Sequence, residues 1–157
     1  MRSFSEIDTI SKRASKAKGF SWGISEEVGK CIKILELFSL PGLKNLNHYL
    51  KNYDQNKFKK LKLISKNNNS DDKYHCPIIA GVNFLDQVKI LEKLNSIEFN
   101  KIAYPLIFLA FVSRASEIIG KKIYVKIDHK KILLNLNVNI SSNFIEQEFP
   151  KIANTIE

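Results

Sequence analysis

Cysteine, histidine and glycine are scarce in this chain, and their scarcity excludes several kinds of site. The two cysteines, Cys31 and Cys76, are too far apart for a C-x-x-C pair, and the three histidines add no metal-ligand spacing. The six glycines match neither the dinucleotide-binding pattern G-x-G-x-x-G nor the P-loop pattern G-x-x-x-x-G-K-S/T. We therefore expect no metal and no cofactor.

Long apolar runs are also missing. The longest run, Ile102–Val112, contains Pro105 and is far shorter than the about 20 residues that a membrane span needs. The N-terminus lacks the apolar core and cleavage site of a secretory signal. We expect a cytoplasmic protein with no membrane partner and a single domain over residues 1–157, which is long enough to bury a core without disulfides.

Acidic residues are outnumbered, because 25 Lys and Arg face 16 Asp and Glu and give a formal net charge of +9. Only three of those 25 are arginine, the side chain that best recognises phosphate and guanine through paired hydrogen bonds. A lysine surplus beside abundant isoleucine and asparagine is also what the codons of an A/T-biased genome produce. The lysine-rich stretch 43–66 interleaves basic and aromatic residues, which keeps binding of nucleic acid or an acidic partner open as an alternative.

Helical periodicity predicts four main helices, at about residues 3–16, 24–38, 84–94 and 105–119. The first begins with the S-x-x-E capping box of Ser3 and Glu6. Helix 84–94 takes Asn83 as its cap. Helix 105–119 is framed by Pro105 and Gly120 and is apolar on every side of its first half. Helix 24–38 has a wider apolar face than a surface helix needs, which is consistent with a homodimer.

Strict alternation of apolar and polar residues predicts a β-hairpin over residues 122–140, with its turn at Asp128–Lys131. The apolar segment Tyr74–Ala80 is expected to be a further strand, with Pro77 at a sheet edge or a bulge. The expected fold class is therefore α+β. It has an antiparallel sheet that includes the 122–140 hairpin, helices packed on one face, and helix 105–119 at the centre.

One stretch, residues 19–29, ends one predicted helix and opens the next, and it holds the only tryptophan and three of the six glycines. Two adjacent carboxylates, Glu26 and Glu27, follow Trp22. Neighbours on a helix point about 100° apart, so they cannot face each other as an acid dyad. If Trp22 desolvates one of them, its pKa would rise and it could act as a general acid or base. Alternatively, both acids only stabilise the helix dipole.

Two further charged residues are candidates for a pocket at this stretch. Arg114 lies in an otherwise apolar helix, so it either reaches solvent or pairs with an acid such as Glu26, Glu27 or Asp86. Inside a cleft it would hold a small carboxylate ligand. For Asp86, a role in helix capping is preferred over a role in the site. The predicted ligand-binding residues are therefore Trp22, Glu26, Glu27, Asp86 and Arg114.

The sequence GFSWGISEEVGK, residues 19–30, resembles an uncharacterised bacterial family known only as a domain of unknown function. The resemblance begins at Ser3–Ile7 and continues more weakly through Cys76–Asp86 and Pro105–Ile107. The family has no assigned activity, so the resemblance implies no substrate and transfers no catalytic role.

Three classes of function remain open from the sequence. The slightly preferred one is a small-molecule-binding or metabolic accessory protein with a pocket at the turn of Trp22, Glu26 and Glu27. The second is a cofactor-independent enzyme that uses Glu26 or Glu27 as general acid or base. The third is a binder of nucleic acid or an acidic partner through residues 43–66.

Overall fold

The computed structural model describes the backbone of residues 3–54, 56–70, 73–127, 130–135, 139–142 and 152–156, and side chains within these ranges up to residue 127. Within these ranges the chain forms five helices and eight strands. The helices are α1 (Phe4–Ala17), α2 (Trp22–Leu37), α3 (Gly42–Lys51), α4 (Pro77–Leu91) and α5 (Pro105–Ile119). The strands are β1 (Phe58–Lys59), β2 (Asn67–Asn68), β3 (Tyr74–His75), β4 (Glu98–Ala103), β5 (Ile123–Ile127), β6 (Lys130–Asn135), β7 (Asn139–Ser142) and β8 (Ile152–Ile156).

Serine side chains cap the first two helices. The hydroxyl of Ser3 accepts the backbone N–H of Glu6 at 3.2 Å, and that of Ser21 accepts the N–H of Ile24 at 3.3 Å. Between these helices the backbone of Gly19 has φ 100°, a conformation that glycine adopts without strain. Because α2 begins at Trp22, two residues before the expected start, its first turn contains no acidic residue. The predicted bounds of residues 24–38 place Glu26 and Glu27 in the first turn, and this placement is wrong.

Helix α4 starts at Pro77, where the sequence predicted a strand, and it ends at Leu91 instead of residue 94. Proline suits the first turn of a helix as well as a sheet edge, and a short apolar run does not distinguish the two states. Asn83 is consequently inside the helix and caps nothing. Its amide nitrogen donates to the carbonyls of Leu61 and Ile79, each at 3.0 Å.

The early start of α4 changes the sheet. Neighbouring parallel strands require a crossover connection, and α4 supplies one between β3 and β4. Strands β1, β3 and β4 are parallel neighbours, and β2 is also parallel to β4. The predicted α+β class is confirmed, but the prediction of an antiparallel sheet is wrong for these four strands.

The C-terminal strands pair differently. β5 and β6 are antiparallel, with Ile123 opposite Leu134, and the predicted turn residues Asp128 and His129 lie outside the described residues. β6 and β7 pair antiparallel to each other, with Asn135 opposite Asn139. The predicted single strand through residue 140 is therefore two strands. Alternation records which side a residue faces, so it cannot show that a second strand has begun.

Helix α5 begins and ends where the sequence predicted, and Gly120 ends it in the left-handed conformation. It contacts α2, α3, α4 and β5, and every residue from Pro105 to Ser113 is buried. No helix in the described part of the chain is long and apolar enough to cross a bilayer. The length of α5 and the burial of residues Pro105–Ser113 explain the apolar sequence of its first half.

Gly81 sets the distance between α4 and α5. A Cβ atom at this position would lie 2.9 Å from the Cβ of Phe111 and closer still to its ring. We expect Gly81→Ala to lower the free energy of unfolding by about 1–3 kcal/mol, because the buried helix cannot move away without loss of packing. Urea denaturation followed by circular dichroism measures this change.

Gly23→Ala is the matched control. Gly23 is also helical, but an added Cβ would meet no atom within 4 Å. Alanine is the better helix former, so this variant should be as stable as the parent or slightly more stable. Equal losses in the two variants would contradict the proposed role of Gly81.

Candidate functional site

Trp22 lies at the protein surface. It is the first residue of α2 and is 57% exposed, with the ammonium of Lys16 5.5 Å from its ring centroid. Glu26, one turn further along α2, is exposed as well. The indole and this carboxylate therefore face solvent.

Glu27 and Arg114 are brought together from α2 and α5. Nη1 of Arg114 donates a hydrogen bond to Oε2 of Glu27, and Nζ of Lys30 lies 3.4 Å from Oε1. Burial alone would raise the pKa of Glu27, but the hydrogen bond and charge of Arg114, with a smaller effect of Lys30, lower it below 4.5. The carboxyl is therefore ionised at neutral pH and joins the two helices as half of an ion pair.

Asp86, the remaining predicted site residue, lies in the middle of α4 and is exposed. The acidic partner of Arg114 is Glu27, so the arginine does not connect Asp86 to the Trp22 turn. Nη1 of Arg114 also lies 3.9 Å from the sulfur of Cys31. Burial raises the pKa of the Cys31 thiol to about 12, so this sulfur stays protonated despite the nearby guanidinium.

Phe20 links the glycine-rich turn to the core, which the sequence did not indicate. It is buried, and its ring centroid lies 5.0 Å from that of Tyr53. Tyr49 continues this aromatic cluster and contacts Tyr53, Phe58 and Tyr104 at 5.1–5.5 Å between centroids. Three aromatic residues of the lysine-rich stretch 43–66 thus contact one another in this cluster.

The hydroxyl of Tyr49 donates to the sulfur of Cys76 at 2.8 Å. Both residues are fully buried. Burial raises the pKa of the Cys76 thiol more than the tyrosine lowers it, so the thiol stays protonated. In the described part of the chain, no three His, Cys, Asp or Glu residues are close enough to hold a metal ion. The Tyr49–Cys76 pair therefore acts as a buried contact between α3 and the start of α4.

A cavity of about 530 Å³ lies between α4, α5, β4 and β5. Its floor contains Phe84, Phe99 and Phe108, whose ring centroids are 4.9–6.4 Å apart. Among the described residues, β8 pairs with β4 at four positions and with β5 at one, Ile127 opposite Ile156. β5 is also paired with β6 along its whole length, and the cavity lies beside its first residues, Ile123–Lys126, above the phenylalanine rings.

The mouth of the cavity is polar and mainly basic. Lys121, Lys122 and Lys126 line it and are exposed. Nζ of Lys121 lies 3.4 Å from Oε2 of Glu92, which also lines the cavity. Among the described residues, no carboxylate lies within ion-pair distance of Lys122 or Lys126. The cavity therefore combines an apolar interior with two exposed positive charges at its opening that are unpaired within the described part of the chain.

Sequence reasoning did not find this cavity, although some of its elements were visible. The alternation of the segment that starts at residue 122 puts Lys122, directly before β5, on the same side as Lys126, and Phe84 and Phe108 fall at core positions of their helices. Their convergence depends on how α4, α5 and the sheet pack, which local periodicity does not specify.

Residues 2–75 match a family model described as "Protein of unknown function (DUF3726)". This confirms the predicted resemblance to an uncharacterised domain family over just under half of the chain. The match contains the Trp22 turn and ends before α4, so the residues named above at the cavity lie outside it. No curated protein and no solved structure matches the chain.

The ion pair of Glu27 with Arg114 leads to a prediction. Glu27→Gln should lower the free energy of unfolding by about 1–2 kcal/mol at neutral pH, because Arg114 would stay mostly buried without its counter-charge. The folded state lowers the pKa of Glu27, so the stabilisation is present above its ordinary pKa of 4.5 and is lost as the pH falls through the folded-state pKa. Urea denaturation across acidic and neutral pH should therefore show the difference disappear in acid.

Glu26→Gln provides the comparison on the adjacent, exposed acid. Its effect should stay within about 0.5 kcal/mol at every pH, as for most surface substitutions. A loss as large as that of Glu27→Gln, or a loss in Glu27→Gln that persists unchanged in acid, would refute the assigned role of the pair.

Proposed function

We propose that this protein binds a small molecule with an apolar body and one anionic group in the cavity between α4, α5, β4 and β5. The observation that carries the proposal is the phenylalanine floor below a mouth with two exposed lysines, Lys122 and Lys126, which have no carboxylate partner among the side chains that the structure describes. The proposal keeps the function class favoured by the sequence. The proposed location of the site differs from the predicted one at the turn of Trp22, Glu26 and Glu27. Trp22 and Glu26 face solvent there, and Glu27 is paired with Arg114.

The size and lining of the cavity support an apolar ligand body. Its volume of about 530 Å³ falls within the roughly 300–1,000 Å³ of typical small-molecule sites. Apart from the three phenylalanines, aliphatic side chains line the cavity: Val88, Leu91, Leu94, Ile97, Val112, Ile119, Ile123 and Val125. A ligand that displaces water from these surfaces gains the hydrophobic free energy of each buried apolar group.

The charge at the mouth supports an anionic head group. A carboxylate there would accept hydrogen bonds from the ammonium groups of Lys122 or Lys126, and charge-assisted hydrogen bonds are stronger than neutral ones. A cationic ligand would gain only Glu92, whose carboxylate already contacts Lys121. The class that fits best is therefore an aliphatic or aromatic carboxylate, with an analogous sulfonate as a usable probe.

The other classes stay predictions. A general acid at Glu27 would need a raised pKa, and the pKa of this carboxyl is lowered. Binding of nucleic acid or an acidic partner through residues 43–66 would lose affinity steeply with added salt, which a salt titration measures. Cytoplasmic location and a homodimer are likewise predictions, and sedimentation equilibrium measures the oligomeric state.

Competition binding tests the proposal. Anilinonaphthalene sulfonate should fluoresce when bound in the cavity, and decanoate should displace it about tenfold more effectively than decanol, the equivalent of one charge-assisted hydrogen bond of roughly 1.5 kcal/mol. Decylamine should be the weakest competitor of the three. Equal displacement by decanoate and decylamine would refute an anionic head group, and absence of dye binding by the folded protein would refute the apolar site.

Matched variants locate the site. Lys122→Ala with Lys126→Ala should remove the preference for decanoate over decanol, whereas the control pair Lys89→Ala with Lys93→Ala, on exposed positions outside the cavity lining, should retain it. Val88→Phe and Val112→Phe fill the cavity from different helices and should each weaken binding of all three compounds. Circular dichroism confirms that each variant is folded. Unchanged binding in both filled variants would exclude this cavity.

A further inference from the structure

The surface around the first inter-helix turn combines an exposed indole with basic side chains. Lys16 lies against the ring of Trp22, and Lys12 and Arg13 are one helical turn from Lys16 on α1. Lys18 follows directly at the end of the helix. We call Lys12, Arg13, Lys16, Lys18 and Trp22 the Trp22 surface.

The charges around this surface leave a net positive field. Asp8 precedes Lys12 by one turn, but it faces Lys33 of α2, with 3.8 Å between Nζ and Oδ2. Glu27 is taken up by Arg114, which leaves Glu26 as the exposed acid one turn beyond Trp22. The Trp22 surface therefore has four cationic side chains, and Glu26 is the one exposed carboxylate described beside it.

We propose that the Trp22 surface docks the protein on an anionic lipid membrane, with the indole at the level of the lipid head groups. Tryptophan is enriched at this depth because its ring is apolar while its N–H is polar. Each basic residue near an anionic membrane raises affinity about fivefold, so three net charges give about a hundredfold preference over a neutral membrane. The expectation of no membrane partner considered only membrane spans, and peripheral docking requires none.

A membrane fits this surface better than other anionic partners. The residues project from a helix end and its adjoining turn, and a bilayer needs no matching concavity to receive them. Recognition of a nucleic-acid backbone favours arginine for its paired hydrogen bonds, and three of the four cations here are lysine. The inference is independent of the cavity, because none of these residues lines it.

Tryptophan fluorescence gives a direct test, because Trp22 is the only tryptophan in the chain. Vesicles of phosphatidylcholine mixed with phosphatidylglycerol should shift its emission to shorter wavelength, and pure phosphatidylcholine vesicles should not. Added salt should reverse the shift, since screening weakens exposed charges. Absence of a shift, or an equal shift with both kinds of vesicle, would overturn the proposal.

Variants measured by vesicle co-sedimentation separate this surface from general basicity. Lys16→Ala with Lys18→Ala should weaken binding about 25-fold, from two contributions of about fivefold each. Trp22→Ala should weaken it further while the exposed position leaves the fold intact. The control pair Lys44→Ala with Lys51→Ala, exposed on α3, should bind like the parent. Equal losses in the two lysine pairs would mean attraction by net charge alone and would overturn the assignment.

Two alternative partners give distinct results in the same assay. A larger emission shift with a single-stranded oligonucleotide than with anionic vesicles would replace the membrane by nucleic acid. A shift that grows with protein concentration in the absence of vesicles would assign the surface to contact between two copies of the chain. Either result refutes membrane docking through Trp22 and leaves the proposed ligand cavity unaffected.

Discussion

Burial of the first nine residues of α5, Pro105–Ser113, is the constraint on which the rest of the structure depends. A helix enclosed on all sides must be apolar, must be approached closely by its neighbours, and must have any charge on it neutralised. Gly81 permits the close approach of α4, and Glu27 neutralises Arg114. Glu27, a catalytic candidate in the sequence, therefore has a structural role as the counter-charge of Arg114 on α5.

The same packing also determines where an open volume is found. α4 and α5 are in tight contact at Gly81 and Phe111, whereas further along they border the cavity, whose floor includes Phe84 and Phe108. On the side of the sheet, β4 and β5 border this space. The proposed binding site thus lies between the helices and the sheet, and its apolar lining is the same kind of surface that forms the core elsewhere.

Prediction from sequence gave the correct structure where a local sequence signal is compatible with only one kind of element. Helix α5 has proline before its apolar run and glycine after it, and both of its ends were predicted correctly. Pro77 is compatible with both a sheet edge and the first turn of a helix. The sequence pattern predicted a strand there, but Pro77 begins the crossover helix α4. Because of this error the prediction gave an antiparallel sheet where β3 and β4 are parallel. At the candidate site, the chemistry of Arg114 required an acid, but the choice of Glu27 over Glu26 depends on the rotation of α2 against α5. The cavity depends on contacts between distant segments and has no local signal.

The residues of the motif GFSWGISEEVGK have different roles in the fold. Phe20 packs into the aromatic cluster, Glu27 binds Arg114, and at Gly29 a Cβ would come within 2.9 Å of the backbone oxygen of Asp8. Folding alone accounts for these three. Trp22 differs, because an indole that is 57% exposed keeps most of its apolar surface in water and contributes correspondingly little to the core. A smaller polar residue would start α2 equally well, so Trp22 is the residue of the motif whose size the fold does not explain.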